Sequence, residues 1–342
     1  MRLLFVSHSA DRMGAELGLL ALVRAAVREH GHDVTATVPA DGPLCTELAA
    51  AGARVVVLPT RSWMGRRYNP VVGAVRLVQA LASVPRYRRY LARTRPDVVV
   101  TNTAVVPAGA LAARWAAVPH VWVVQESLLT NPSLRSVLPR RLIARLIARY
   151  SAGIVALSQY VADQLCGAAP AARDKVRVIP PVIERPAQPD GADPALRPDP
   201  GRPPGLARLL LLGRYTAAKG HADALAALRI CRARGRELRL LLAATGDSTD
   251  REALRRLATA RGVAGQLEIR EWTDDPQALY GWADATLMLS RNEAYGRVTV
   301  ESLLAGTPVV GYRAGGTAEI LAPGGGLLVE PDPAALAEAL LA

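Results

Sequence analysis

Residues Ser290 to Glu319 read SRNEAYGRVTVESLLAGTPVVGYRAGGTAE, with two glutamates, Glu293 and Glu301, separated by seven residues. A glycine turn at Tyr295-Gly296 comes before a helical run, Arg297 to Leu304, which ends at Gly306. An apolar strand, Pro308 to Gly311, follows, and Gly315-Gly316 then opens a short helix carrying Glu319. Two helix N-termini led by glycines are therefore expected close together. Free N–H groups and the positive end of the helix dipole make such places anion sites. An ordinary βα unit with capping carboxylates has the same local pattern, so the surrounding chain has to decide.

Upstream, the strand Leu209 to Leu212 runs into Gly213-Arg214-Tyr215-Thr216-Ala217-Ala218-Lys219-Gly220 and then a helix to about Ala233. Further strands are expected at Glu237 to Ala243, Gln266 to Glu271 and Ala283 to Leu289. Before Leu206, the segment ERPAQPDGADPALRPDPGRPPG at 184–205 is too rich in proline and glycine to pack a core and reads as a linker. The first half repeats the alternation. A strand at 2–7, a loop Ser7 to Gly14, a helix Ala15 to His30 and a strand Asp33 to Val38 begin it. Strands at Arg54 to Leu58, Asp97 to Thr101, His120 to Val124, Gly153 to Leu157 and Val176 to Ile179 continue it. Continuous apolar strands alternating with helices indicate parallel sheets covered on both faces. The stretch Val98 to Val124 is broken by Pro107, Arg114 and Pro119, and reads as strand, helix and strand rather than a membrane span.

The 342 residues suffice for two domains. Cys45, Cys166 and Cys231 are odd in number and far apart, which fits neither a disulfide framework nor a metal site and suggests a reducing compartment. With no signal-peptide pattern at the start, a cytoplasmic protein is expected. The net charge of +12 is uneven: residues 1–183 carry +13 and residues 184–342 carry −1. Between Glu47 and Asp163 sixteen arginines face only two acids, Asp97 and Glu126. That field favours an anionic partner. Arginines concentrate from Arg61 to Arg95, with Trp63, Tyr68, Tyr87 and Tyr90. They concentrate again from Arg135 to Arg149, where Arg141, Arg145 and Arg149 line one stripe beside Leu142, Ile143, Leu146 and Ile147. The second segment reads either as a basic helix lying on an anionic bilayer or as a solvated face packed on its own sheet. No RNP, KH or zinc pattern supports nucleic-acid binding. Lys175 and Lys219 are the only lysines, so each is a candidate for a role that arginine does not fill.

No G-x-G-x-x-G follows the first strand, and the G-x4-G-K-[ST] spacing is missing, which argues against a tightly held dinucleotide and against a P-loop. Asp190 and Asp193 fall in the linker, and Asp274-Asp275 are adjacent, as in a helix cap, so no Asp-x-Asp metal pair stands in a site position.

The 290–319 stretch resembles the E-x7-E signature of the family 4 glycosyltransferases, and Gly213 to Gly220 is similar to that family's G-R-x4-K-G motif. Met13-Gly14-Ala15-Glu16 resembles its Gly-Gly-x-Glu turn with Met13 in place of the first glycine, and Gly31-His32-Asp33-Val34 its Gly-His-x-Val. Where the family often has histidine followed by Asp or Glu, this chain has Gln125-Glu126, and Ile179-Pro180-Pro181-Val182 stands at its Pro-Asn-Gly turn. The resemblance implies the GT-B fold: two α/β Rossmann-like domains whose parallel sheets face an interdomain cleft. Residues 1–183 would form the acceptor-side domain and 206–342 the nucleotide-sugar domain. It implies a retaining transferase without a bound metal or other cofactor. Glu293 would hold the transferred sugar, and Glu301 the ribose hydroxyls. Arg214, Lys219 and the backbone of Tyr295, Gly296 and Arg297 would take the diphosphate. Glu126 would contact sugar or acceptor, beside the cleft loop Gly14 and Ala15. The acceptor is expected to be a glycan, lipid-linked or otherwise anionic, with the protein peripheral at an anionic membrane. Family members continue for some tens of residues beyond the position of Ala342, so truncation or a different closure is expected there. A GT-B epimerase and a catalytically silent nucleotide-sugar scaffold are the alternatives.

Overall fold

The computed structural model describes residues 1–65, 69–183, 206–246, 248–273 and 276–342. The chain divides into two compact units, Met1–Val182 and Ile183–Ala342. The linker at 184–205, Tyr68, and Asp274-Asp275 lie outside the described residues.

The first unit runs β1 (Arg2–Val6), α1 (Gly14–Arg28), β2 (Asp33–Val38), α2 (Pro43–Ala50), β3 (Arg54–Val57), α3 (Pro70–Ala82), α4 (Val84–Thr94), β4 (Val98–Thr101), α5 (Ala108–Trp115), β5 (His120–Val124), α6 (Arg140–Tyr150), β6 (Gly153–Ala156), α7 (Gln159–Ala168) and β7 (Val176–Val178). Its strands form one parallel sheet in the order β3-β2-β1-β4-β5-β6-β7. Leu4, Val6, Val34, Ala36, Val38 and Val99 are buried, as strands covered on both faces require.

The second unit runs β8 (Ala207–Arg214), α8 (His221–Ala233), β9 (Leu238–Thr245), α9 (Ser248–Ala260), β10 (Leu267–Glu271), α10 (Gln277–Trp282), β11 (Ala285–Met288), α11 (Arg297–Leu304), β12 (Val309–Tyr312), α12 (Gly315–Leu321), β13 (Gly326–Val329) and α13 (Pro333–Leu341). Its sheet, also parallel, has the order β10-β9-β8-β11-β12-β13. Leu209 and Leu211 pack with α8 and α13 on one face, while Leu210 and Leu212 pack with α10 on the other. In each sheet the strand order reverses once, between β1 and β4 and between β8 and β11. Ligands of open α/β sheets bind beyond the carboxyl ends of the strands at such reversals.

Burial decides between the two readings of α6. Ile143 and Ile147 of the arginine stripe are fully buried, so the apolar side of α6 is spent on the interior of its own unit. Arg141, Arg145 and Arg149 remain exposed, and α6 is the solvated-face alternative. Two aromatic neighbours of the other arginine segment, Trp63 and Tyr87, are also interior, while Tyr90 is half-buried. Trp63 is buried, donates its indole N–H to the Ala104 carbonyl at 2.9 Å and stacks on Trp122. Tyr87 is fully buried, its hydroxyl 3.2 Å from that of Thr37. Lys175 serves the structure. Its ammonium donates to the carbonyls of Ala148 and Ser151 at 2.8 and 2.9 Å, closing the C-terminal end of α6. Among the described residues no helix is long and apolar enough to cross a membrane.

Candidate active site

The reversal between β8 and β11 brings the two halves of the charged motif together. Arg214 is the last residue of β8, and a tight turn carries the chain through Lys219 to Gly220, the N-cap of α8. Gly220 has φ +75°, and a Cβ there would come 2.4 Å from the Leu289 Cβ just beyond β11. Only glycine lets these loops approach so closely. Across that contact the Lys219 ammonium donates to Glu293 Oε2 at 2.7 Å, a pair 74 residues apart in sequence with both side chains about a quarter exposed or less. Burial pushes the Glu293 carboxyl up, but the Lys219 charge and hydrogen bond, with a hydrogen bond from Ser290, outweigh it and hold the carboxyl below its ordinary value.

The backbone of Glu293 is fixed by the second glycine pair. Gly316 N–H donates to the Glu293 carbonyl at 2.9 Å. Gly315 has φ +58°, and a Cβ there would lie 2.5 Å from that same carbonyl oxygen. The start of α12, expected from the sequence to face an anion, is thus engaged in holding the Glu293 loop. Gly315→Ala should lower stability by roughly 1–3 kcal/mol, from the left-handed backbone and the clash combined. Urea unfolding checks this, and a stability unchanged within error would show that the loop accommodates a side chain.

Gly296, at φ +108°, is the N-cap of α11. The first N–H groups of that helix, on Arg297 and Val298, have no partner inside it by the geometry of any α-helix. The Arg297 guanidinium pairs with Glu301 Oε1 at 3.0 Å, and the Tyr280 hydroxyl donates to Glu301 Oε2 at 3.0 Å. Burial, then the Glu301 charge, push the Tyr280 phenol well above its ordinary range, so it stays a donor. Arg297 therefore reaches the neighbourhood through its backbone, with its side chain committed to Glu301. Tyr280 and Ser290 were not among the residues expected from the sequence. Neither lies in a glycine motif, and a lone tyrosine on a helix carries no signal of its own.

In the first unit, polar residues gather at the carboxyl ends of β1, β4 and β5. Glu126 accepts the Thr103 hydroxyl and, at 2.9 Å, the Ala104 N–H, while burial pushes its carboxyl up. Gly14 opens α1 and the Ala15 carbonyl accepts from Asn102 at 2.8 Å, while Asn102 in turn accepts from Gln125 at 2.8 Å. Met13 takes φ −123°, an extended geometry open to any residue, so the turn does not need glycine there. Glu16 is buried, accepts the Ser9 hydroxyl and lies 3.3 Å from His8 Nε2. The sequence placed Glu16 in the turn but did not mark it, or His8, as a site residue. His120 is buried behind this group, bonded to Thr101 at 2.9 Å, and burial lowers its pKa to about 3, so it stays neutral.

A cavity of about 660 Å³ opens elsewhere, between α9 and β10, lined by Ser248, Thr249, Arg251, Glu252, Arg255 and Glu271. It lies at the β10 edge of the sheet, apart from the Lys219–Glu293 pair.

Known protein families match both halves of the chain. Residues 14–182 match the glycosyl transferase 4-like domain, and residues 193–342 match the glycosyl transferases group 1 family. The chain belongs to the glycosyltransferases. This glycosyltransferase is 34% identical over 123 residues to the lipopolysaccharide core biosynthesis glycosyltransferase LpsE of Rhizobium meliloti (strain 1021), a match covering 36% of the chain and 34% of LpsE. It is 28% identical to the 2-deoxystreptamine N-acetyl-D-glucosaminyltransferase of Streptomyces fradiae, over 89% of the chain and 75% of that relative. The match to the D-inositol 3-phosphate glycosyltransferase of Arthrobacter sp. (strain FB24) is 31% identical, covering 47% of the chain and 40% of that relative. In fold it is similar to Anabaena HepE solved with UDP-glucose, with a TM-score of 0.76 and 21% identity over 99% of this chain and 88% of HepE. The two units are thus Rossmann-like domains of the GT-B kind.

Proposed function

We propose that the protein is a retaining glycosyltransferase that moves a sugar from a nucleoside diphosphate to an acceptor. The observation that carries this reading is the Lys219–Glu293 pair at 2.7 Å, set at the β8/β11 reversal close in sequence to the first turn of α11. A cation, a carboxylate and a helix N-terminus are the groups that departure of a diphosphate from a sugar calls for. Negative charge grows on the leaving phosphate and positive charge at the anomeric carbon. Arg214, Lys219 and the N–H groups of Gly296 and Arg297 take the diphosphate, with Tyr295 beside them. Glu293 faces the sugar, and Glu301, held by Arg297 and Tyr280, takes the ribose hydroxyls with its remaining lone pairs. In the first unit Glu126 serves the acceptor side, beside Gly14 and Ala15.

The acceptor is lipid-linked or otherwise anionic, and the enzyme works at an anionic membrane surface. The excess of +13 on residues 1–183 supports this, against −1 on the rest of an equally arginine-rich chain. The test is a thermal-shift screen of UDP-, GDP- and other nucleoside-diphosphate sugars, beginning with UDP because HepE was solved with it. The anomeric configuration of the product is then read by NMR. No shift with any nucleotide sugar, or an inverted product, would overturn the reading. Because Arg214, Lys219 and the helix dipole do the work of a cation, transfer should persist in EDTA. Activity that vanishes with chelator and returns with Mg2+ or Mn2+ would contradict this part.

A further inference from the structure

Helix α3 is turned the wrong way for a surface helix. Such helices bury an apolar stripe and present charges to water. Here Val71, Val72, Val75, Val78 and Leu81 are 70%, 43%, 49%, 65% and 45% exposed, and the only fully buried residue is Ala80. Val71, Val75 and Val78 follow each other at helical spacing, with exposed Ala74 and Ala82 along the same side. The side toward the unit is made of Gly73, Arg76, Leu77 and Ala80, with Gly73 close to Val137. Arg76 is the only charged residue of the helix. A contiguous exposed apolar face of this kind marks a contact surface.

The next element is basic. Ser83 both ends α3 and starts α4, whose Arg86, Arg88, Arg89 and Arg93 are exposed while Val84, Tyr87 and Leu91 face inward. From Leu48 to Pro96 the chain has ten arginines and no acid.

We propose that α3 is a membrane-docking element. It lies in the interface of an anionic bilayer with its valine side toward the acyl chains, and the α4 arginines meet lipid phosphates. This rests on the anionic-surface part of the proposed function and moves the contact from α6, whose isoleucines are buried, to α3. Charge decides against a second copy of the chain as occupant. A copy docked face to face would bring its own acid-free, ten-arginine segment against this one, and residues 184–342, at −1, offer little charge to neutralise it, whereas lipid phosphates do. With one short apolar face and a basic flank, the association is weak and reversible.

Co-sedimentation of the full chain with phosphatidylcholine vesicles, with and without phosphatidylglycerol, tests this at low and high salt. The wild type should bind the phosphatidylglycerol vesicles and release as salt rises. The exposed pair Val75→Ser/Val78→Ser should weaken that binding on the order of tenfold, with unchanged melting temperature and unchanged nucleotide-sugar thermal shift. Arg88→Gln/Arg89→Gln should reduce the preference for phosphatidylglycerol and the salt dependence. If the serine pair binds as the wild type does, α3 is not the docking element and the anionic-surface reading stands alone. If the wild type binds neither vesicle, both fall. If the mass doubles with protein concentration and the serine pair prevents it, the face belongs to a second copy.

Discussion

Glu293→Gln should bind nucleotide sugar within a few fold of the wild type and turn over about a hundredfold more slowly or worse, since a contact made chiefly in the transition state is removed. The substitution keeps shape and removes charge. The loop position stays fixed, because Gly316 holds the backbone carbonyl of residue 293 and not its side chain. What is lost is the negative charge near the anomeric carbon and the ion pair to Lys219. Steady-state transfer at saturating donor, set beside donor affinity by calorimetry, separates the two effects. Unchanged turnover would remove Glu293 from the catalytic residues. A loss confined to donor affinity would make it a binding group.

Lys219→Met should be the other severe change, lowering both donor affinity and turnover by about tenfold or more, because it removes a phosphate cation and uncovers a carboxylate together. In the wild type the Glu293 carboxyl lies below its ordinary value of 4.5. A depressed carboxyl pKa gives stability that is present above the unfolded value and lost as pH falls through the folded one. The pair therefore stabilises across neutral pH and fails only in acid, below about pH 4.5. Without Lys219, burial acts unopposed by that charge and the pKa rises, so the acid limb of kcat/KM should move toward neutrality. Lys219→Arg should restore much of this limb. A pH profile of Lys219→Met that overlays the wild type would show that the ion pair does not govern ionisation of Glu293.

The strands were legible because leucine and valine runs such as LLLL at 209–212 and VVV at 98–100 have few other uses in a chain of this kind. β13 was missed. It is four residues long, begins in a glycine run and lies at the sheet edge with Leu327 half exposed, so it has neither length nor burial pattern to announce it. At the site, glycine spacing pointed to Lys219 and Glu293 separately, but a contact across 74 residues is set by strand order, which no local pattern carries. The arginine segments misled for a related reason. Trp63 and Tyr87 read as surface partners of their charged neighbours but are buried, and of the two readings of the second segment the burial of Ile143 selects the packed one. α3, with Arg76 as its single charge, was read only as part of the basic Arg61 to Arg95 segment, although its exposed valines are the more unusual feature.

The distance in sequence between Lys219 and Glu293 also bears on how the second unit comes together. Both β9 and β10 must find their places outside β8 while β11 pairs on its other side, at Ala285 with Leu209 and Thr286 with Leu210. Such non-local parallel pairing carries the loop-closure cost of folding and comes slowly. A chain emerging from synthesis as far as Trp282 already holds the whole Gly213–Gly220 turn and has nothing for Lys219 to meet. On the proposed reading, nucleotide sugar acts as a folding ligand that recognises only the finished sheet, worth about 2.7 kcal/mol at a hundred times its Kd. The abundance of the enzyme in a cell would then follow the supply of its own donor.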